Sequence, residues 1–140
     1  MLRKTVTIKT EKQFTDLTQI AKDFVKETRG EGSLHIYVKH TTCAIKILEN
    51  EILLLADINN FLNTLIPPDT EYMHNKIEIR DVPVNERINA HSHLRQLFLT
   101  TSETIPVSNG ELLMGKWQTC FLVELDPIRD REVVFSYMES

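Results

Sequence analysis

A single α+β domain rich in strands is what this chain predicts, on three observations: short runs in which apolar and polar residues alternate, longer runs with apolar residues every three or four positions, and no repeating strand–helix–strand rhythm of a doubly wound sheet. The alternating runs number about seven and the helical ones two or three. With 140 residues, 41% of them hydrophobic, and no low-complexity stretch, residues 1–140 fit one domain around one core.

Thr5-Val6-Thr7-Ile8-Lys9-Thr10 alternates with the period of a half-buried strand. Phe14, Leu17, Ile20, Ala21, Phe24 and Val25 then share one helical stripe, and Gly30 supplies its stop. In the strand Ser33–Lys39, Leu34, Ile36 and Val38 face one way while His35, Tyr37 and Lys39 face the other, so His35 reads as an ordinary strand residue. The polar corner His40-Thr41-Thr42 leads to an alternation that sets Ala44 and Lys46 opposite Ile45 and Ile47. Asn50-Glu51 opens a second helix whose expected buried stripe is Leu54, Ile58, Phe61, Leu62 and Leu65. Pro67-Pro68 ends it, because neither proline donates the next helical hydrogen bond.

Residues 69–89 are polar and broken by Pro83, the composition of a long functional or interface loop. Ala90, Leu94, Leu97 and Phe98 return to helical spacing and place His91 at the start of a short third helix. Beyond it, Thr104–Val107 and Glu111–Met114 flank Ser108-Asn109-Gly110, whose Asn-Gly pair suits the positive backbone angles of a tight hairpin. Trp117–Leu125 and Glu132–Met138, separated by Pro127, complete the strands.

Charge narrows the function. Sixteen Lys and Arg against 20 Asp and Glu give a net charge of -4, which offers no global attraction to nucleic acid or an anionic membrane, so any anion site is local. No apolar run approaches the roughly 20 residues of a spanning helix, and Met1-Leu2-Arg3-Lys4 leads into alternation rather than a signal-peptide core. A soluble cytoplasmic protein is expected. Cys43 and Cys120 lie far apart without a CxxC pair and read as reduced thiols. No Walker A loop, GxGxxG sequence or GxSxG elbow is present.

Four of the five histidines, His40, His74, His91 and His93, fall in three short polar segments. Neutral imidazole is both a metal ligand and an acid or base near neutral pH, so convergence of those segments would make a reactive site; taken singly, each also reads as a surface or hydrogen-bonded histidine. On a helix, residues two apart project about 200° from each other, so His91 and His93 are not expected to enter one site together. The odd offset of His40 and Cys43 sends them to opposite faces of a regular strand, which favours a buried structural thiol for Cys43.

Several wordings match a known family. His40-Thr41-Thr42-Cys43-Ala44 followed by Asn50-Glu51, Tyr72 with His74, Asn89-Ala90-His91, Ile105-Pro106-Val107 with Gly110, and Gly115-Lys116-Trp117-Gln118 make the chain resemble the YjbQ-like family nearly end to end. The resemblance implies a two-sheet, β-sandwich-like core with helices, a homotrimer, and a secondary thiamine-phosphate synthase activity, a transferase reaction. It also implies that His40, His74 and His91 are the matching site histidines and selects His91 over His93.

Three neutral imidazoles with a fourth position open to water would form a catalytic-type site for zinc or another divalent metal. Glu51 and Asp57 are candidates to orient a histidine, Glu51 with a catalytic role; their alternatives are a helix N-terminal carboxylate and a solvated face. Tyr72 is a candidate proton donor or a packing residue. A phosphorylated ligand needs anion contacts, for which Arg129 and Arg131 offer guanidinium forks, unless they form a surface pair with Asp126 and Asp130. Thr41 and Thr42 would bind phosphate or hold the corner, and Gln118 would line a pocket or an assembly interface. The competing reading is a non-catalytic binder of a small phosphorylated molecule.

Overall fold

The computed structural model describes residues 2–140, in which eight strands form two antiparallel sheets accompanied by three α-helices. The larger sheet has the order β1 (Leu2–Thr10), β8 (Arg129–Glu139), β3 (Glu31–Val38), β5 (Ser102–Ser108), β6 (Glu111–Leu112). The smaller sheet has the order β2 (Phe14–Asp16), β7 (Thr119–Glu124), β4 (Cys43–Leu48). The helices are α1 (Thr18–Val25), α2 (Ile52–Leu65) and α3 (Ala90–Gln96), and two single 3₁₀ turns at Met73–Asn75 and Ile77–Ile79 punctuate the loop before α3.

The alternation seen in the sequence decides the layers. Leu34, Ile36 and Val38 of β3, with Ile105, Val107, Val133 and Phe135 from its neighbours, meet Cys43, Ile45, Cys120 and Leu122 of the smaller sheet, and α1 closes this core with Leu17, Ala21 and Val25. The opposite side chains of β4 and β7 build a second core. Ala44, Phe121 and Val123 pack there with Leu62 of α2 and Leu125. The smaller sheet is therefore buried on both faces, which explains why Cys120–Val123 reads as a continuous apolar run rather than an alternation. His35 is the strand residue expected, paired with Thr104 across β3 and β5 and hydrogen-bonded to its hydroxyl.

Four expectations need correction. Phe14 belongs to β2, opposite Val123, not to the first helix; Asp16 Oδ1 accepts the Thr18 N–H at 2.8 Å in the turn that separates β2 from α1. This short strand is the eighth. Phe61 and Leu65 of α2 are exposed, because the narrow three-stranded sheet covers only the strip around Leu55, Ile58 and Leu62. Leu94 of α3, with Leu97 and Phe98 just beyond its end, faces outward and Ser92 and Arg95 are buried, since Ser92 Oγ donates to the Leu125 carbonyl and Arg95 to the Ile66 carbonyl and Asn63. Trp117 and Gln118 precede the strand: the Gln118 N–H donates to the Gly115 carbonyl in a turn, Trp117 is exposed under the Lys116 ammonium, and β7 starts at Thr119.

The β5–β6 hairpin turns at Asn109 (φ 47°) and Gly110 (φ 82°), as the Asn-Gly pair requires. Asn109 also ties the turn to the residue before β3 by exchanging hydrogen bonds with Gly30. A Cβ on Gly110 would stand 2.5 Å from the Lys26 carbonyl oxygen in a backbone region that L residues disfavour. Gly110→Ala should therefore lower unfolding free energy by more than about 1 kcal/mol in urea titration; an unchanged midpoint would show that the turn relaxes freely.

Candidate functional site

Two carboxylates at the end of β7 build the site. Glu124 is buried and receives Arg131 Nε on Oε1 at 2.8 Å and Arg131 Nη2 on Oε2 at 2.5 Å. Thr10 donates its hydroxyl to Oε1, and the Asp126 N–H donates to Oε2 at 2.9 Å. Burial opposes ionisation of Glu124, but the bonds from Arg131, Thr10 and Asp126 outweigh it and hold its carboxyl below the usual range. Arg131 Nη2 also donates to Thr42 Oγ1 at 2.8 Å and to the Thr42 carbonyl, so the His40–Thr42 corner is fastened to β8.

Asp126 organises the second layer. It accepts from Arg129 Nη2 at 2.9 Å, from Asn89 Nδ2 at 2.8 Å and from Arg87 Nη1 at 3.1 Å. Burial again works against the charge, and those three donors hold Asp126 below its ordinary value. Through Arg87 and Asn89 this carboxylate anchors the end of the long loop, whose Asn75 Oδ1 in turn accepts the Ala90 N–H at the start of α3.

These anchors enclose a cavity of about 400 Å³. His40, Thr41 and Thr42 line one side with Arg129 and Arg131; His74, Arg80 and His93 line the other. Lys39, Asn89 and the single carboxylate Glu86 complete the wall. The His74 and His93 rings meet edge to face with centroids 4.7 Å apart, and Arg80 Nη1 donates to the His74 carbonyl at 2.8 Å. His40 Nε2 accepts the Glu132 N–H at 2.9 Å, which places its proton on Nδ1. Burial lowers the His40 and His93 pKa values, with Arg131 adding to the effect at His40 and His74 at His93, so both rings are held towards the neutral form. Arg129 Nε is buried without a hydrogen-bond acceptor.

The structure gathers part of the expected set. His40, His74, Thr41, Thr42, Arg129 and Arg131 line the cavity; Thr42 holds the corner and Arg131, while Thr41 is exposed. His91 does not line it. It lies half-buried on α3, its pKa lowered by burial and then by Arg95, with Nδ1 buried and unpartnered. Its neighbour His93 lines the cavity instead, and as helix geometry requires, the two rings do not enter together.

Glu51 caps α2, accepting the N–H groups of Leu53 and Leu54 at 2.6 and 3.0 Å, and does not line the cavity. Asp57 is exposed on the same helix. Gln118 is exposed and folds back to accept the Gly115 N–H at 2.8 Å, away from any cavity wall described here. Tyr72 donates its hydroxyl to the Pro67 carbonyl at 2.7 Å, a structural tie. Cys43 is a buried thiol that burial pushes up to about 12, unsuited to ligation as thiolate. Among the described residues no three His, Cys, Asp or Glu side chains group to hold a metal ion. With His40 Nε2 engaged and His91 outside the cavity, the donors of one chain do not fit a three-histidine zinc centre. Sequence reasoning missed Glu124 and Arg80 and gave Asn89 no role of its own; Asp126 was read as a partner of the arginines, which holds for Arg129.

A family model described as "UPF0047 protein YjbQ-like" matches residues 3–140. A UPF0047 protein of Methanothermobacter thermautotrophicus is 39% identical over 123 residues, covering 86% of this chain and 79% of that protein. One from Archaeoglobus fulgidus is 34% identical over 131 residues, covering 92% and 95%. Among solved structures, a YbjQ-like protein of unknown function from Sulfolobus solfataricus P2 superposes with TM-score 0.87 at 29% identity, covering 99% of this chain and 97% of that one. A hypothetical protein from Aeropyrum pernix K1 gives 0.86 at 34% identity over the full length of both chains.

Acid should act on this site in one direction. Glu124 and Asp126 titrate below their ordinary 4.5 and 3.8, and His40, His91 and His93 below 6.5, so in each case the unfolded chain binds protons first as pH falls. The stability these groups contribute is complete above pH 6.5 and is lost progressively below it, more steeply below 4.5. Urea titrations from pH 7 to 4 should show that decline. Glu124→Gln should be less stable at pH 7 by about 3–5 kcal/mol, because Arg131 is left buried without its counter-charge, and should depend less on pH below 4.5. A flat profile, or a variant as stable as the parent, contradicts this account.

Proposed function

The chain belongs to the UPF0047 YjbQ-like family, and from its basic cavity we propose that the protein binds a small phosphorylated molecule, with the phosphoryl group between Arg129, Arg131 and the His74–His93 pair. The observation that carries this reading is the pair of guanidiniums on the cavity wall, Arg129 and Arg131, each aimed by a carboxylate bonded to it, Asp126 and Glu124. A phosphoryl oxygen is the acceptor that suits a guanidinium. Asp126 fixes Arg129 from one side, and Glu124 and Thr42 hold Arg131 through Nε and Nη2. Lys39, Arg80, Arg129 and Arg131 stand on the wall with Glu86; Glu132, Asp126 and Glu124 pair with Lys39, Arg129 and Arg131, so the cavity draws an anion by directed guanidinium N–H groups and by Arg80 more than by net charge.

The same arrangement suits release of pyrophosphate in thiamine-phosphate synthesis, in which the bond from the pyrimidine's exocyclic methylene carbon to the diphosphate oxygen breaks as the thiazole nitrogen forms its bond to that carbon. Arg129 and Arg131 would then stabilise the leaving oxygens. Reduced thiols and the lack, among the described residues, of any helix long and apolar enough to cross a membrane support a cytoplasmic setting.

Inorganic phosphate and pyrophosphate should bind in calorimetry, and Arg129→Gln should weaken both by about tenfold or more. Binding should survive exhaustive chelation. Loss on chelation with recovery on adding zinc would replace this reading with a metal centre, and equal affinity in Arg129→Gln would remove the cavity from binding.

We also propose that the chain assembles as a homotrimer. Phe61 and Leu65 of α2 stand exposed, as do Leu97 and Phe98 just after α3, which is more apolar surface than the domain itself covers. Light scattering at micromolar concentration should give three chain masses; a monomer would refute the assembly.

A further inference from the structure

The His74–His93 pair is a wall with two sides. On one side is the basic cavity. On the other is a second cavity of about 410 Å³, lined by the same two rings with Tyr72, Met73, Ala90 and Leu94. The first is crowded with guanidinium and hydroxyl groups, whereas the second is predominantly apolar, and both fall in the size range of small-molecule sites.

The apolar side is built from fixed pieces. Tyr72 has its hydroxyl tied to the Pro67 carbonyl, so its ring serves as wall rather than as a hydrogen-bonding group. Ala90 begins α3 beneath the Asn75 side chain, which holds the 3₁₀ turn carrying Met73 and His74 against that helix. The edge-to-face histidines add flat, polarisable surface on which an aromatic ring packs well.

We infer that the second cavity is a subsite for the organic group of the phosphorylated ligand, and that this group is an uncharged planar ring of about phenyl or pyrimidine size, joined to its phosphate past the His74–His93 edge. The inference rests on the phosphate reading above and adds which class of phosphate ester is selected. Continuity through the shared histidines chooses this occupant. A free inorganic anion would leave Met73 and Leu94 facing water, and a charged or sugar-like group would meet a lining whose polar side-chain groups, among the described residues, are the histidine nitrogens and the Tyr72 hydroxyl already bonded to Pro67.

Calorimetry on the intact chain with methyl phosphate and phenyl phosphate tests it, because the two esters share the phosphoryl charge and differ only in the ring. Phenyl phosphate should bind about tenfold more tightly, equivalent to about 1.4 kcal/mol. Leu94→Ser and Met73→Ser, both at partly or largely exposed positions, should each reduce that preference to about threefold or less while methyl phosphate affinity stays as it was. Equal affinities for the two esters would overturn the subsite and leave the phosphate reading intact. A preference that survives both substitutions would overturn it too. A changed oligomeric state in Leu94→Ser with the preference unaltered would assign this face to a second copy of the chain. Failure of either ester to bind would sink the phosphate reading and the subsite with it.

Discussion

The buried ion pair between Glu124 and Arg131 is the constraint on which the rest of this structure depends. It sits where the end of β7, the start of β8, the end of β1 and the His40–Thr42 corner converge, and each sends a group to it. A buried pair of this kind contributes little net stability compared with well-packed apolar side chains, because both charges must leave water. Its effect is one of position. A carboxylate that accepts four hydrogen bonds and a guanidinium that gives four leave few alternatives for the backbone segments that carry them.

From that node the structure grows outward in charge-alternating layers. Asp126 follows Glu124 by two residues and gathers Arg129, Asn89 and Arg87, so two adjacent carboxylates between them orient three arginines. The long loop before α3 has little apolar packing of its own, and Arg87 fastens it further to the carbonyls of Asp126, Pro127 and Ile128. The cavity is thus lined by groups whose directions are set before any ligand arrives. Preorganisation of this kind spares a ligand much of the cost of ordering long side chains.

Strand periodicity was legible wherever one face of a strand meets the core: β1, β3 and the β5–β6 hairpin lie close to where alternation and the Asn-Gly pair put them. Phe14 misled because an apolar residue three before Leu17 fits a helical stripe as well as a strand, and only pairing with Val123 decides between them. On the candidate site, His40, His74, Arg129 and Arg131 were legible as residue types suited to phosphate or metal. Asp126 was legible as a partner of Arg129, but Glu124 was not, since an acidic residue in a strand-rich tail looks like solvated surface until its arginine partner is placed. Glu51 and Gln118 show the reverse: side chains with catalytic chemistry whose hydrogen-bonding capacity is spent on a helix cap and a turn.

The exchange of His91 for His93 in the cavity follows from how α3 is seated. Its apolar residues Leu94, Leu97 and Phe98 suggest the buried face, but that face is set by Ser92 and Arg95, which satisfy the Leu125 and Ile66 carbonyls at the ends of β7 and α2. Unsatisfied carbonyls at those buried ends would cost about 1–3 kcal/mol each, which is comparable with what burying Leu97 or Phe98 would gain, and in this seven-residue helix the polar pairing is the arrangement adopted. With Ser92 turned inward, residues 91 and 93 flank it on either side, roughly 100° away in each direction. His93 emerges towards His74 and the cavity, and His91 emerges near Arg95 and Asp126. The same rotation that brings a histidine to the cavity also presents Leu94 to the apolar side of the His74–His93 wall, so the polar seating of one short helix sets the character of both cavities.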